Sequence, residues 1–172
     1  DLADGLLKYV KPSDSILQIG CGNSLLATQL YDNGYKKIIS IDTDEKIIKK
    51  QKQINRERNE LLFLCTSATQ IDAESESVNV VLDKGTLDAL LPPNCDEEYC
   101  SKISKMFDEV DRILLPNGRY VVVSMAQAHV LRAFIEYFSQ KSNYMIRIQS
   151  APSSEGFFMP VFFLIATKFR KA

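Results

Sequence analysis

Short apolar runs alternate with stretches of helical period from one end of the chain to the other, and few folds accommodate that alternation. Runs at residues 15–19, 37–41, 61–65 and 78–82 have the length of buried strands. Between them lie helical patterns. One covers residues 26–33 and is closed by Gly34; another covers 43–58, with Thr43 as its expected N-cap. A first helix carries Leu2, Leu6, Leu7 and Val10 and stops at Pro12. Tyr99, Ile103, Met106, Val110 and Ile113 recur at helical spacing and predict one buried stripe. Pro116, Asn117 and Gly118 then read as a turn into a strand at 119–123. Ser124 and Gln127 read as a capping box for a helix reaching about Ser139. Strands separated by helices imply a parallel sheet covered on both faces. The final two strands, near 144–149 and 161–169, have only a loop between them, so they must pair antiparallel. The expectation is one α/β domain over residues 1–172, with a mostly parallel seven-strand sheet, an antiparallel C-terminal hairpin and helices on both faces.

A chain of 172 residues with 45% apolar and 25% charged residues can bury a core of its own. Its net charge of -1 lacks the basic excess of a phosphate binder, so no nucleic-acid partner is expected. No apolar run approaches about 18 residues, so no membrane span is expected. No secretory leader is visible, and a cytoplasmic protein is expected. The first residue is Asp1, and a preceding N-terminal segment is expected. Cys21, Cys65, Cys95 and Cys100, with the single His129, match no zinc spacing. The cysteines read as free thiols of a reducing compartment, and no metal is expected.

Chemistry concentrates after the first strand. Ile19 runs into Gly20-Cys21-Gly22-Asn23-Ser24, and a helix follows at once. Glycine tolerates positive φ and lets a ligand lie against the backbone. Such a pair alone also fits a plain strand-to-helix turn. Asp42 shifts the balance: it ends the second strand about 20 residues later, where an acid accepts from ribose hydroxyls. Its structural alternative, an acid favouring a helix start, can be filled by Asp44 or Glu45. Placed at a strand end near solvent, Asp42 is expected to contribute little to stability. Both NAD and S-adenosylmethionine (SAM) fit this pattern. Leu25 stands where a dinucleotide fingerprint has its third glycine, and the antiparallel finish also favours SAM. Asp83 ends the fourth strand at the mouth of the sheet; Lys84 follows, to pair with Asp83 or touch a ligand carboxylate. Cys21 needs no reactivity, and His129 reads as a structural hydrogen bonder in the first turn of a helix. Phe157, Phe158, Phe162 and Phe163 fit a partner-binding patch or core packing equally well.

Gly20 to Ser24, the string Leu82-Asp83-Lys84-Gly85-Thr86-Leu87-Asp88-Ala89-Leu90, the string Ser124-Met125-Ala126-Gln127-Ala128-His129 and the ending Pro160 to Arg170 together resemble class I SAM-dependent methyltransferases. The likeness is to the group that methylates lysines of translation elongation factor 1-alpha, and within it to the N-terminal domain of two-domain members. It covers nearly the whole chain. It implies a Rossmann-like class I fold, SAM as cofactor and S-adenosylhomocysteine as product. It further implies that Gly20, Cys21, Gly22 and Asn23 face the methionine part and that Asp42, with Thr43, binds the ribose. Ser67 and Ala68 would sit at the adenine, and Asp83, Lys84 and Gly85 between cofactor and substrate. Ser67 and Gln18 depart from the pattern, since relatives often carry acids there. Methyl transfer from sulfonium to amine needs alignment more than acid–base machinery. Asp83 is therefore the expected group orienting the acceptor amine. The expected function is protein-lysine N-methylation of elongation factor 1-alpha. The alternatives are methylation of a protein N-terminus or a small molecule, and a binding module without turnover.

Overall fold

The computed structural model describes residues 5–94, 97–151 and 160–171. Its seven strands are β1 (Ile16–Ile19), β2 (Ile38–Asp42), β3 (Leu61–Cys65), β4 (Val78–Lys84), β5 (Leu114–Ser124), β6 (Tyr144–Ser150) and β7 (Phe162–Lys168). They form one sheet in the order β3-β2-β1-β4-β5-β7-β6. The first five pair in parallel; β7 lies antiparallel to both β5 and β6. The order reverses beside β1, which pairs with β2 on one side and β4 on the other. In open α/β sheets ligands bind at that reversal, outside the strands' C-terminal ends.

The helices lying wholly within the described residues are α1 (Leu26–Asp32), α2 (Glu45–Ile54), α3 (Thr86–Leu90), α4 (Glu97–Ile113) and α5 (Ala128–Ser139). Alternate strand residues face opposite sides, and the sheet has a core on each. Leu17, Ile19, Val81 and Val122 meet Ile103, Met106 and Val110 of α4 and Phe134 and Phe138 of α5. Ile16, Ile38, Val80 and Leu82 meet Leu26 and Leu30 of α1 and Ile48 of α2. Leu6 and Val10 join this second core, while Leu7 is exposed. Gly34 closes α1 as its spacing predicts. With φ of 97° it lets its N–H reach Tyr31 O and that of Tyr35 reach Leu30 O.

The boundaries depart from the sequence reading in several places. Tyr99 is 38% exposed and lies off the buried stripe of α4, where Phe107 packs instead. Thr43 does not cap α2. Asp44 does, accepting from the Lys46 N–H at 2.8 Å, and the helix stops at Ile54. The Ser124–Gln127 capping box does not form. Ser124 still belongs to β5, its Oγ accepts from the Ala126 N–H, and α5 starts at Ala128 without a side-chain cap bond. The turn at 116–118 is absorbed into β5, with Asn117 at φ 68° and a register shift opposite Val78 and Val80. Phe162 and Phe163 pack on opposite faces of the sheet, as core residues. Leu2, Phe157 and Phe158 lie outside the described residues.

Candidate active site

The turn after β1 is held by three neighbours. Gly20 has φ 57°, and a Cβ there would sit 2.1 Å from Thr86 Oγ1. Thr86 needs that space because its hydroxyl donates to Ile19 O at 3.0 Å, tying the start of α3 to the end of β1. Gly22, at φ 51°, has open space where a Cβ would stand, so its backbone angle alone calls for glycine. Its N–H donates to Asp42 Oδ2 at 2.8 Å, while the Asp44 N–H donates to Asp42 Oδ1 at 3.0 Å. Asp42 therefore knits the glycine turn to the end of β2, which corrects the expectation that it is structurally idle. Gln51 of α2, 1% exposed, donates to Gly22 O at 2.7 Å and Ser24 O at 3.0 Å.

Above this turn lies a cleft of about 470 Å³. Ile41, Asp42 and Thr43 form one wall, and residues 66–69 (Thr66, Ser67, Ala68, Thr69) the next. Lys84, Gly85, Thr86, Ala89 and Leu90 close the far side, with Lys102 of α4 at the rim. A carboxylate and several hydroxyls share the lining with the apolar side chains of Ile41, Ala68, Ala89 and Leu90 on its facing walls, which suits a ligand combining a sugar with a flat ring. Of the residues singled out by sequence, Gly20, Asp42, Thr43, Ser67, Ala68, Lys84 and Gly85 meet here. Cys21 does not: its side chain is buried in the core with Leu26 and Leu30, and burial, then Asp42, push its thiol up to about 12. Asn23 is turned outward and accepts from Lys50 Nζ at 2.9 Å. Gln18 is buried in the sheet and accepts from Ser40 Oγ, so the departure there falls beneath the cleft. Ser67 Oγ is within 2.8 Å of Thr69 Oγ1.

Asp83 requires a larger correction. Its side chain is 1% exposed and points into the molecule. One oxygen accepts from the Thr86 N–H at 2.8 Å, the other from the Leu87 N–H at 3.1 Å and from Tyr120 Oη at 2.8 Å. Burial raises its pKa to about 6 against the lowering effect of those bonds. Burial and the adjacent carboxylate push Tyr120 well above its ordinary range. Asp83 thus fixes the first turn of α3, and with it Thr86, Ala89 and Leu90, rather than facing an acceptor amine. Lys84, next along the strand, faces the opposite way, exposed at the cleft and apart from Asp83.

A family model described as "Methyltransferase domain" matches residues 11–159. The chain belongs to this methyltransferase family. The eEF1A lysine and N-terminal methyltransferase of Homo sapiens is 41% identical over 99% of the chain, which corresponds to 25% of that protein. The chain thus spans about a quarter of the length of the curated relatives of this name. Among solved structures, geranyl diphosphate methyltransferase in complex with SAM superposes with a TM-score of 0.71 at 14% identity, over 98% of this chain and 83% of that one. A SAM-dependent methyltransferase of Methanosarcina mazei gives 0.68 at 15% identity, over 96% and 97%. At these identities the likeness speaks for the fold: a class I methyltransferase sheet with an antiparallel end.

In this methyltransferase domain, sequence reasoning missed Gln51, Thr86 and Tyr120. Thr86 carried a signal, standing in a string already singled out and next to a glycine. Gln51 carried none, lying among the lysines and glutamines of a charged helix. Among the described residues no group of His, Cys, Asp or Glu could hold a metal, and no helix is long and apolar enough to cross a membrane.

Proposed function

We propose that this domain binds SAM in the cleft over the glycine turn and methylates a lysine ε-amine of translation elongation factor 1-alpha. The observation that carries the reading is Asp42. Its carboxylate lines the cleft while tied to the turn, where a ribose would find a charged acceptor already oriented. Ser67 and Ala68 would take the adenine, with Ile41 and Leu90 against its faces. Lys84 would meet the methionine carboxylate. SAM supplies a sulfonium-bound methyl group when bound. The protein's part is to align the acceptor amine and shed its proton, since a free lysine has a pKa near about 10.4. A desolvated approach beside the cleft lowers that demand. Asp83 contributes at one remove, by holding α3.

Two relatives' names bear on the acceptor. The human and bovine relatives are named for both lysine and N-terminal methylation, which gives a second reading, a protein α-amine. An α-amine is easier to deprotonate, with a pKa of about 7.7–8.0. We place the protein in the cytoplasm with its substrate. The test is methyl transfer from labelled SAM to purified elongation factor 1-alpha, followed by mapping of the modified residue. Label on a lysine supports the first reading, and label on the N-terminus the second. Label on neither, with SAM bound by the full-length protein, refutes both and leaves a small-molecule acceptor or a binding module.

A further inference from the structure

Gly22 is gripped at both its N–H and its C=O, and only the first grip comes from the acid that the cofactor reading uses. Gln51 sits on α2, and its amide is buried under the turn. Two main-chain carbonyls, Gly22 O and Ser24 O, lie 2.7 and 3.0 Å from its nitrogen. Carbonyls only accept, so the NH2 end of the amide must face them. Gln51 is held in turn, chiefly through its main-chain carbonyl. Asn55 Nδ2 donates to Gln51 O at 2.9 Å and lies 3.4 Å from its Oε1, while Asn55 Oδ1 accepts from Thr28 Oγ1 of α1 at 2.8 Å. In a trans peptide the C=O and the following N–H point in opposite directions. Pinning Gly22 O and Ser24 O towards α2 therefore turns the N–H groups of Asn23 and Leu25 away from it, leaving them free of the helix that supports the turn.

We infer that Gln51 is a positioning residue for the cofactor's amino-acid part: it sets which way the Gly22–Asn23 and Ser24–Leu25 peptides face, whereas Asp42 serves the nucleoside part. The inference rests on the SAM reading above, and the experiment separates the two. Calorimetry of the full chain with S-adenosylhomocysteine and with methylthioadenosine, which lacks the amino-acid part, tests it in the parent, Gln51→Met and Gln51→Glu. Met keeps the volume and helix propensity but has no donor; Glu places acceptors against the two carbonyls. Both variants are expected to weaken S-adenosylhomocysteine by about tenfold or more while methylthioadenosine changes by less than about threefold. In turnover assays the KM for SAM should rise while kcat holds. Equal losses for both ligands, or no loss for either, overturn the inference while the SAM reading stands. A parent that binds neither ligand overturns the SAM reading, and this inference with it. Should both Gln51 variants fail to fold, Thr28→Val releases only the outer bond of the chain. It must still weaken S-adenosylhomocysteine more than methylthioadenosine; otherwise the inference is refuted.

Discussion

Replacing Asp42 by Ala removes two different sets of bonds, and the structure lets them be counted separately. The first set is internal. The half-buried Gly22 N–H and the exposed Asp44 N–H lose their acceptors, at 2.8 and 3.0 Å. A buried donor left unpaired costs about 1–3 kcal/mol, and an exposed one much less because water replaces the partner. The expected loss is thus about 1–3 kcal/mol, a fall in Tm of about 2–12 °C for a chain of this size, larger than a strand-end position near solvent would imply. The second set is made to the ligand. Charge-assisted bonds to ribose hydroxyls contribute about 1.5–3 kcal/mol, so SAM affinity should fall by about tenfold or more. Asp42→Asn separates the two. Its one oxygen can keep the Gly22 bond and hold the turn, but its NH2 then faces the exposed Asp44 N–H and the charge is gone, so stability should recover in part while affinity stays low. Asp44→Ala is the control. It deletes the cap on α2 and about 1 kcal/mol of stability, yet Asp44 does not line the cleft, so binding should persist. Calorimetry with SAM and thermal melts of all three variants provide the readout. An Asp42→Asn protein that folds and binds SAM as tightly as the parent would show that the carboxylate is not the ribose ligand, and the placement of the nucleoside would fail.

Three further outcomes are expected. Asp83 has a folded pKa of about 6 against an ordinary 3.8, so the folded state holds this proton more tightly. Its contribution is complete below pH about 4 and is lost as pH rises through about 6. Urea midpoints should decline across that window in the parent and flatten in Asp83→Asn; parallel curves would contradict the burial argument. Gly20→Ala drives a methyl into Thr86, 2.1 Å from Oγ1, and should destabilise strongly. Adding Thr86→Ala should recover part of the loss but leave about 1–2 kcal/mol for the positive φ, and a double variant no better than the single would locate the strain elsewhere. Cys65 and Cys100 are exposed, whereas Cys21 is buried with its thiol pushed up to about 12. Iodoacetamide at pH about 8 should therefore label the first two in the folded protein and Cys21 only after unfolding, as mass spectrometry of digests would report.

The elements were legible where one physical requirement dominated and blurred where two residues could meet it. Short apolar runs marked β1 and the centre of β4, which are buried on both faces, and the same signal marked the edge strand β3, although Leu62 and Leu64 there are exposed. Thr43 and Asp44 are both good caps, and the choice between them is made by Asp42, whose carboxylate accepts the Asp44 N–H and starts the helix one residue later. Ser124 has a capping side chain, but the β5 ladder continues through it to Phe162. At the site, Gly20 and Asp42 stood out because their roles are local to a turn and a strand end. Gln51 could not be told from Gln53, since burial under the turn is decided by how α2 docks. Asp83 was readable in part. Val81 faces the interior, and period-two alternation puts Asp83 on that same side, which its position at the strand's end had obscured.

These details share one construction. The C-terminal end of β1 is where the cleft opens, and none of the bonds that shape it is made by β1 side chains. Thr86, from the segment after β4, holds Ile19 O. Asp42, from the end of β2, holds the Gly22 N–H, and Gln51, from the helix after β2, holds Gly22 O. Asp83 secures the Thr86 N–H that begins the chain of contacts. The two strands flanking β1 thus set the backbone between them from either side, and the glycines are required because that backbone has no room or no permitted angle for anything else. A turn braced in this way has little conformational freedom left to lose when a ligand arrives, so more of the contact energy appears as affinity. The same bracing explains why the most consequential substitutions here include residues that never face the cleft.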